Sequence, residues 1–165
     1  MSKRQVFFSF EYEKDNWRAA QVRNMGVVSD DSTFSDNDWE EVKKKDDASI
    51  KKWIDDQMAM RSCIVVLVGE TTATRKWVKY EIQKAYDLDK GIVGIRIHGL
   101  KDNNQEQSLR GENPFDDVKT NDGEKLSRYV TCYDSPYSSS KLVYDDIKEN
   151  IEDLIEGAIS EKAPQ

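Results

Sequence analysis

The pattern with the clearest chemical potential in this sequence is a glutamate four residues after a tryptophan, Trp77 and Glu81 within residues 75–82. Residues four apart in a helix lie on neighbouring turns of one face, so the indole ring can shield the carboxylate from water. A partly desolvated carboxylate suits the stabilisation of positive charge that develops on a sugar during bond cleavage. The alternative is that Glu81 is a solvated helix residue and Trp77 a core anchor.

The apolar residues around this pair predict the helix that carries it. Val78, Ile82 and Ala85 recur at helical spacing and form a stripe that should face the core. Glu81 lies beside that stripe. We therefore predict a helix over residues 71–89, ended by Gly91, with Glu81 at the margin of its buried face.

The rest of the chain predicts alternating strands and helices. Strands are expected at 5–10, 62–69, 92–97 and, as an edge strand, 126–133; further helices are expected at 15–25, 46–60 and 141–160. The run 62–69 is apolar on both faces, which is typical of a central parallel strand. This order indicates one α/β domain over 1–165, a flavodoxin-like, doubly wound and mostly parallel sheet with helices on both faces and no obvious second strand.

Such a sheet binds ligands at the carboxyl ends of its strands, near the point where the strand order reverses. That edge is expected to consist of residues 9–12 after the first strand and 69–72 after the central strand. Glu81 lies seven residues past Thr74, roughly 10 Å along its helix, so it can reach the same crevice.

Composition excludes several classes of function and partner. A net charge of −7 disfavours binding to nucleic acid or anionic membranes. No apolar run approaches the ~18 residues of a membrane span, and the first strand leaves no room for a signal peptide. Cys63 and Cys132 lack metal-ligand spacing and suggest a reducing compartment. We therefore expect a cytoplasmic protein.

Motif searches exclude most cofactor and metal chemistry. The sequence contains neither a Gly-x-Gly-x-x-Gly fingerprint nor a P-loop. His98 is the single histidine, which rules out His-rich metal sites and weakens any Ser-His-Asp proposal. We predict no metal site and no resident cofactor.

A set of short motifs, in a fixed order, resembles one known family. The motifs are Val6-Phe7-Phe8-Ser9-Phe10, Trp17-Arg18, Val22-Arg23-Asn24, Trp39-Glu40, Val66-Leu67-Val68-Gly69, Trp77-Val78-Lys79-Tyr80-Glu81-Ile82, Gly94-Ile95-Arg96-Ile97 and Gly111-Glu112-Asn113-Pro114. Over about residues 6–114 the chain closely resembles the bacterial TIR-like family that includes the TIR subunit of Thoeris antiphage systems.

The resemblance implies a fold, a reaction and a site. It implies a flavodoxin-type sheet that cleaves the nicotinamide–ribose bond of NAD+, which would be a substrate and not a cofactor. It also implies an ADP-ribose-derived signal that switches on a downstream effector. The family's catalytic glutamate sits in a Trp-x-x-x-Glu motif, which falls here on Trp77 and Glu81. The strand-end positions that would line the nucleotide cleft are Ser9 and Phe10.

The chemistry of this reaction is compatible with a lone carboxylate. Nicotinamide leaves a cationic glycoside as a neutral molecule, so no general acid is needed. One carboxylate can then stabilise the oxocarbenium-like ribose. Exclusion of water by Phe10 and Trp77 would decide between hydrolysis and capture by an internal nucleophile.

Several assignments stay open at this point. The segment 27–42 is polar where other TIR domains place a second strand and a self-association loop, and a monomer and a homo-oligomer are both left as alternatives. Trp39 either stacks on a base in the cleft or packs the loop down. Arg18 and Arg23 either meet phosphates or are surface charges, and Tyr80 either lines the cleft or is exposed. The alternative functions are a non-catalytic TIR-like interaction module and a sensor that binds NAD+ without chemistry.

Overall fold

The structure is a computed structural model that describes residues 4–26 and 42–165. Strands and helices alternate in the order β1 Val6–Ser9, α1 Tyr12–Arg23, α2 Asp47–Ala59, β2 Cys63–Val68, α3 Lys76–Asp87, β3 Gly91–Arg96, β4 Cys132–Tyr133 and α4 Ser140–Ser160. Short 3₁₀ helices occupy Thr72–Thr74, Pro114–Asp117 and Leu126–Arg128.

The four strands form one parallel sheet in the order β1-β2-β3-β4. Alternate residues of β2 enter opposite cores, as expected for a strand that is apolar on both faces. Ile64 and Val66 pack with α2 and α3, whereas Val65 and Leu67 pack with α1 and α4. The predicted α/β fold with helices on both faces is confirmed.

The second helix follows its sequence signals closely. Asp46 caps α2, because its carboxylate accepts a hydrogen bond from Ser49 N at 2.8 Å. Ile50, Ile54 and Met58 face the core at the predicted spacing. The final helix agrees equally well, since α4 begins one residue before the predicted range, behind an N-cap at Ser139.

The first helix departs from its prediction. It begins at Tyr12 and not at residue 15, so Asp15 is a buried residue inside α1. Arg18 is buried with it and donates to Asp15 Oδ1 at 2.9 Å and to Leu100 O at 2.8 Å. The local pattern could not show this, because the carbonyl that fixes Arg18 lies 82 residues away. Arg18 is therefore neither a surface charge nor available to a phosphate.

Two other predicted boundaries were wrong. The edge strand expected at 126–133 is reduced to Cys132–Tyr133, because Leu126–Arg128 forms a 3₁₀ turn that buries Leu126. The helix predicted at 71–89 is divided, since Arg75 is extended between the 3₁₀ turn Thr72–Thr74 and α3.

Trp39 falls outside the described residues. No helix in the described ranges has the length and apolar character required to cross a membrane.

Candidate active site

A cleft of about 450 Å³ opens where the chain leaves β1 and enters α3. The described residues that line it are Phe10, Glu11, Tyr12, Glu13, Lys43, Thr74, Arg75, Lys76, Trp77, Val78 and Glu81. This is the carboxyl edge of the parallel sheet, where the fold class places ligands. The sequence-predicted Phe10, Trp77 and Glu81 therefore share one cavity.

Glu81 reaches this cavity from the buried side of α3. Val78 and Ile82 pack α3 against the sheet, and Glu81, between them, is only 4% exposed. The sequence predicted a carboxylate at the margin of the apolar face, and the structure places it deeper than that. Ser9, at the end of β1, lies beside Glu81 and contributes to its burial. Helical periodicity alone could not predict this contact between two elements.

Burial makes Glu81 electrostatically unusual. Loss of hydration raises the pKa of its carboxyl from 4.5 to about 8, and the nearby Ser9 hydroxyl opposes this rise more weakly. Among the described residues, however, neither Glu81 Oε2 nor Ser9 Oγ has a well-formed hydrogen bond. Ser9 is therefore close enough to lower the pKa of the Glu81 carboxyl but does not satisfy the hydrogen bonding of Glu81 Oε2. A buried oxygen without a partner beside a cavity is a candidate ligand contact.

The two strand-end residues predicted to line the cleft behave differently. Phe10 lines it. The centroid of its ring lies 6.4 Å from that of Tyr12 and 5.5 Å from Cζ of Arg23. Ser9 is 1% exposed and is not among the lining residues. The alternation of side chains along β1 turns Ser9 inward toward Glu81, behind the cavity wall. Ser9 is thus placed to contact Glu81, and a direct contact with substrate stays a prediction.

Trp77 forms one wall of the cleft, and Tyr80 supports it from outside. Their rings meet edge to face with centroids 5.8 Å apart. The Tyr80 hydroxyl donates to Asp55 Oδ1 of α2 at 2.8 Å, and Tyr80 is not a lining residue. The open question about Tyr80 is thereby answered, because its hydroxyl ties α3 to α2.

Sequence reasoning assigned no role to Glu11 or Arg75, two polar residues of the cleft that lie beside each other. Glu11 accepts a short hydrogen bond from Thr71 Oγ1, and Arg75 Nε lies 3.7 Å from Glu11 Oε1. The signal for Glu11 was present, because it follows the first strand at the predicted ligand edge. Arg75 gave no such signal, since its position depends on the break between the 3₁₀ turn and α3.

Two further features do not belong to this site. His98 is half-buried, and burial lowers the pKa of its imidazole, but it does not line the cleft. A larger depression of about 920 Å³ lies at the opposite, amino-terminal edge of the sheet. Within residues 4–26 and 42–165 no group of three His, Cys, Asp or Glu side chains is arranged to hold a metal ion.

Comparison with known proteins identifies the family. Residues 7–102 match the family model described as "Thoeris protein ThsB, TIR-like domain". The chain is also 36% identical over 137 residues to the "Putative cyclic ADP-D-ribose synthase ThsB1" of Bacillus cereus (strain MSX-D12), an alignment that covers 78% of this chain and 71% of that protein. The cleft, the parallel sheet and these matches agree: the chain belongs to the ThsB family of TIR-like Thoeris proteins.

Proposed function

We propose that this protein cleaves the nicotinamide–ribose bond of NAD+ and produces an ADP-ribose-derived signal in antiphage defence, with Glu81 as the catalytic carboxylate. The observation that carries the proposal is the Glu81 carboxyl, 4% exposed, with one oxygen unpartnered among the described residues, in the wall of the ligand cleft. The relative from Bacillus cereus, named as a cyclic ADP-D-ribose synthase, supports the same reaction class.

The proposed reaction needs only stabilisation of charge. When the bond between the anomeric carbon and the pyridinium nitrogen breaks, its electron pair stays on nitrogen, and nicotinamide leaves as a neutral molecule. The ribosyl centre becomes cationic, and the Glu81 carboxylate stabilises it in a site with little water. A nucleophile then gives its electron pair to the anomeric carbon. Water loses a proton and yields ADP-ribose, whereas a nitrogen of the adenine ring yields a cyclic product.

Glu81 must be ionised to stabilise this cation, although burial favours its protonated form. With a pKa of about 8, the carboxyl is mostly protonated at neutral pH. A bound pyridinium cation favours the carboxylate, so binding of NAD+ should release a proton. Because kcat/KM reports the free enzyme, we expect kcat/KM for NAD+ to increase about tenfold per pH unit below pH 8 and then to level off.

We further propose where the product acts and how the site is completed. The signal would reach its effector as a small molecule in the cytoplasm, so no stable complex with the effector is required. If the cleft is incomplete in one copy of the chain, activity per molecule rises with protein concentration, and a concentration series of the purified protein tests this. Activity per molecule that is constant with concentration would argue for a monomeric enzyme.

The decisive experiment follows small molecules by mass spectrometry after incubation with NAD+. Wild type and Glu81→Gln should be compared as concentrated purified protein and in lysates of phage-infected cells. We expect nicotinamide and an ADP-ribose-derived product from wild type and none from Glu81→Gln. Glu152→Gln is the matched control, because Glu152 is exposed on α4.

Three outcomes would contradict the proposal. Undiminished activity in Glu81→Gln would remove Glu81 from the chemistry. Absence of nicotinamide release under every condition, together with a stable protein complex, would favour a non-catalytic interaction module. Tight binding of NAD+ without turnover would favour a sensor.

A further inference from the structure

The amino terminus of α3 carries charges opposite to those that normally stabilise a helix. Helix amino termini have partial positive charge and favour acidic residues and side-chain caps. At α2 this preference is met by Asp46 and Asp47. At α3 the N-cap is Arg75, which makes no capping hydrogen bond, Lys76 follows, and the first turn contains no acidic residue. Such an end is stabilised by an external anion.

The same helix end faces the cleft that contains Glu81. Thr74, Arg75 and Trp77 line it together with Glu81, whose Oε2 atom is buried and has no partner among the described residues. The orphaned oxygen is an observation independent of the helix terminus, and it indicates that the cleft is built to receive a ligand.

Arg75 has the donors that an anion would need. Its side chain is 52% exposed. Within the described part of the chain it forms an ion pair with Glu11, and the 3.7 Å between Nε and Oε1 is too long for a hydrogen bond. Lys76 is occupied differently, because it pairs with Asp47 and covers the Trp77 ring at 4.7 Å. The planar fork of Arg75 is therefore the better phosphate ligand.

We infer that Arg75 and the amino terminus of α3 bind the pyrophosphate of the dinucleotide and so place the nicotinamide ribose at Glu81. Glu81 lies five positions after Lys76 in the helix, an axial rise of ~7.5 Å, which suits a ribose that is linked directly to the bound phosphate. The identity of the dinucleotide rests on the proposed function, whereas the anion site itself does not.

Glu11 gives the inference a second, opposite prediction. The Glu11 carboxylate lies beside the Arg75 guanidinium and would repel an incoming phosphate. Neutralising Arg75 should weaken anion binding, and neutralising Glu11 should strengthen it. An amide at position 11 can still accept the hydrogen bond from Thr71, so Glu11→Gln should keep the local structure.

The first experiment titrates inorganic pyrophosphate and requires no catalysis. Nitrogen-15 NMR of this 19.1 kDa chain can follow the Trp77 indole N–H in wild type, Arg75→Gln, Arg75→Lys, Glu11→Gln and Arg128→Gln. We expect Arg75→Gln to weaken binding by roughly ten- to hundredfold, the equivalent of one charge-assisted hydrogen bond or more. Arg75→Lys should lie between it and wild type, and Glu11→Gln should bind more tightly.

Arg128 is the matched control, because it pairs with Glu124 on the surface away from the cleft. Arg128→Gln should bind pyrophosphate as wild type does. Equal binding by Arg75→Gln and wild type would overturn the inference, as would weaker binding by Glu11→Gln.

The second experiment compares two substrates, NAD+ and nicotinamide riboside, which lacks phosphate. Arg75→Gln should raise KM for NAD+ and leave kcat/KM for the riboside unchanged. Equal loss on both substrates would overturn the inference, because Arg75 would then act on the fold or on bond cleavage. If wild type cleaves neither substrate, the proposed function fails, and the pyrophosphate titration still decides whether the anion site exists.

Discussion

The two ends of the sheet carry two cavities that differ in size and in chemistry. The depression at the amino-terminal edge has about twice the volume of the cleft at the carboxyl edge, about 920 Å³ against about 450 Å³. Two of its charged lining residues satisfy each other at the surface, because Arg4 makes two hydrogen bonds to Glu156, at 2.8 and 3.0 Å. The smaller cleft instead holds a buried carboxyl, one oxygen of which has no hydrogen-bond partner in the part of the chain that the structure describes.

Cavity volume is therefore a poor guide to function in this fold. Exposed ion pairs contribute little to the free energy of unfolding. A depression lined by such pairs therefore has almost no effect on stability. A buried carboxyl without hydrogen bonds lowers the free energy of unfolding. A bound ligand that interacts with the carboxyl offsets this loss. The predictions below test this contrast.

The largest expected effect is the loss of activity on neutralising the buried carboxyl. Glu81→Gln should lower kcat for NAD+ cleavage by about a thousandfold, since it removes the one carboxylate proposed to face the ribosyl cation. The double variant Arg4→Gln, Glu156→Gln dismantles the ion pair of the larger depression and should change kcat less than about twofold. Steady-state rates of nicotinamide release measure both. A large loss in the double variant would move the active site to the other edge.

Two glycines should respond in opposite ways to replacement by alanine. A Cβ at Gly111 would lie 2.2 Å from Gly69 O beside the cleft end of β2, and backbone atoms cannot yield there. Gly111→Ala should therefore lower the free energy of unfolding by about 2–3 kcal/mol.

Gly157 provides the matched control within α4. A Cβ at this position meets nothing within 4 Å, so Gly157→Ala should raise the free energy of unfolding by about 0.5–1 kcal/mol. Urea denaturation measures both variants. Similar changes at the two positions would show that the close approach at Gly111 is not required.

The raised pKa of Glu81 predicts a pH-dependent gain in stability for Glu81→Gln. Glu81 does not destabilise the fold while its carboxyl is protonated. The contribution of Glu81 to the free energy of unfolding is therefore highest below pH 4.5, and it falls as the pH rises through about 8, because the buried carboxyl then ionises. Glu81→Gln does not titrate. It should match wild type near pH 4 and exceed it by on the order of a few kcal/mol at pH 8.

Thermal or urea unfolding from pH 4 to pH 9 measures this difference. Glu152→Gln, a substitution at an exposed position, should show no such trend. A constant difference between Glu81→Gln and wild type across this range would mean that Glu81 is not desolvated.

The smallest expected effect concerns the aromatic wall. Trp77→Ala should lower kcat by roughly tenfold, about 1.4 kcal/mol, and shift the product ratio toward hydrolysis, because water gains access to the ribosyl centre. Trp17 is 56% exposed and does not line the cleft, so Trp17→Ala should leave rate and products unchanged. Product ratios from mass spectrometry separate the two. An unchanged ratio in Trp77→Ala would show that its ring does not exclude water.

Much of the fold was predictable, and the errors have a common cause. α2, α4 and the first three strands follow local signals: caps, apolar stripes and runs that are apolar on both faces. The last strand and the start of α1 depend on distant partners. Leu126 N bonds to Val118 O, and Arg18 reaches the carbonyls of Leu100 and Glu106. No periodicity within a short window encodes such contacts.

The candidate site divides in the same way. Local spacing placed Glu81 one turn from Trp77 beside an apolar stripe, and the family resemblance of the sequence is confirmed. Contacts between distant segments cover Glu81, place Ser9 behind it and bring Glu11 and Arg75 together at the cleft. The reason is physical: helical spacing fixes which residues share a face, whereas burial and charge depend on what the rest of the chain places over that face.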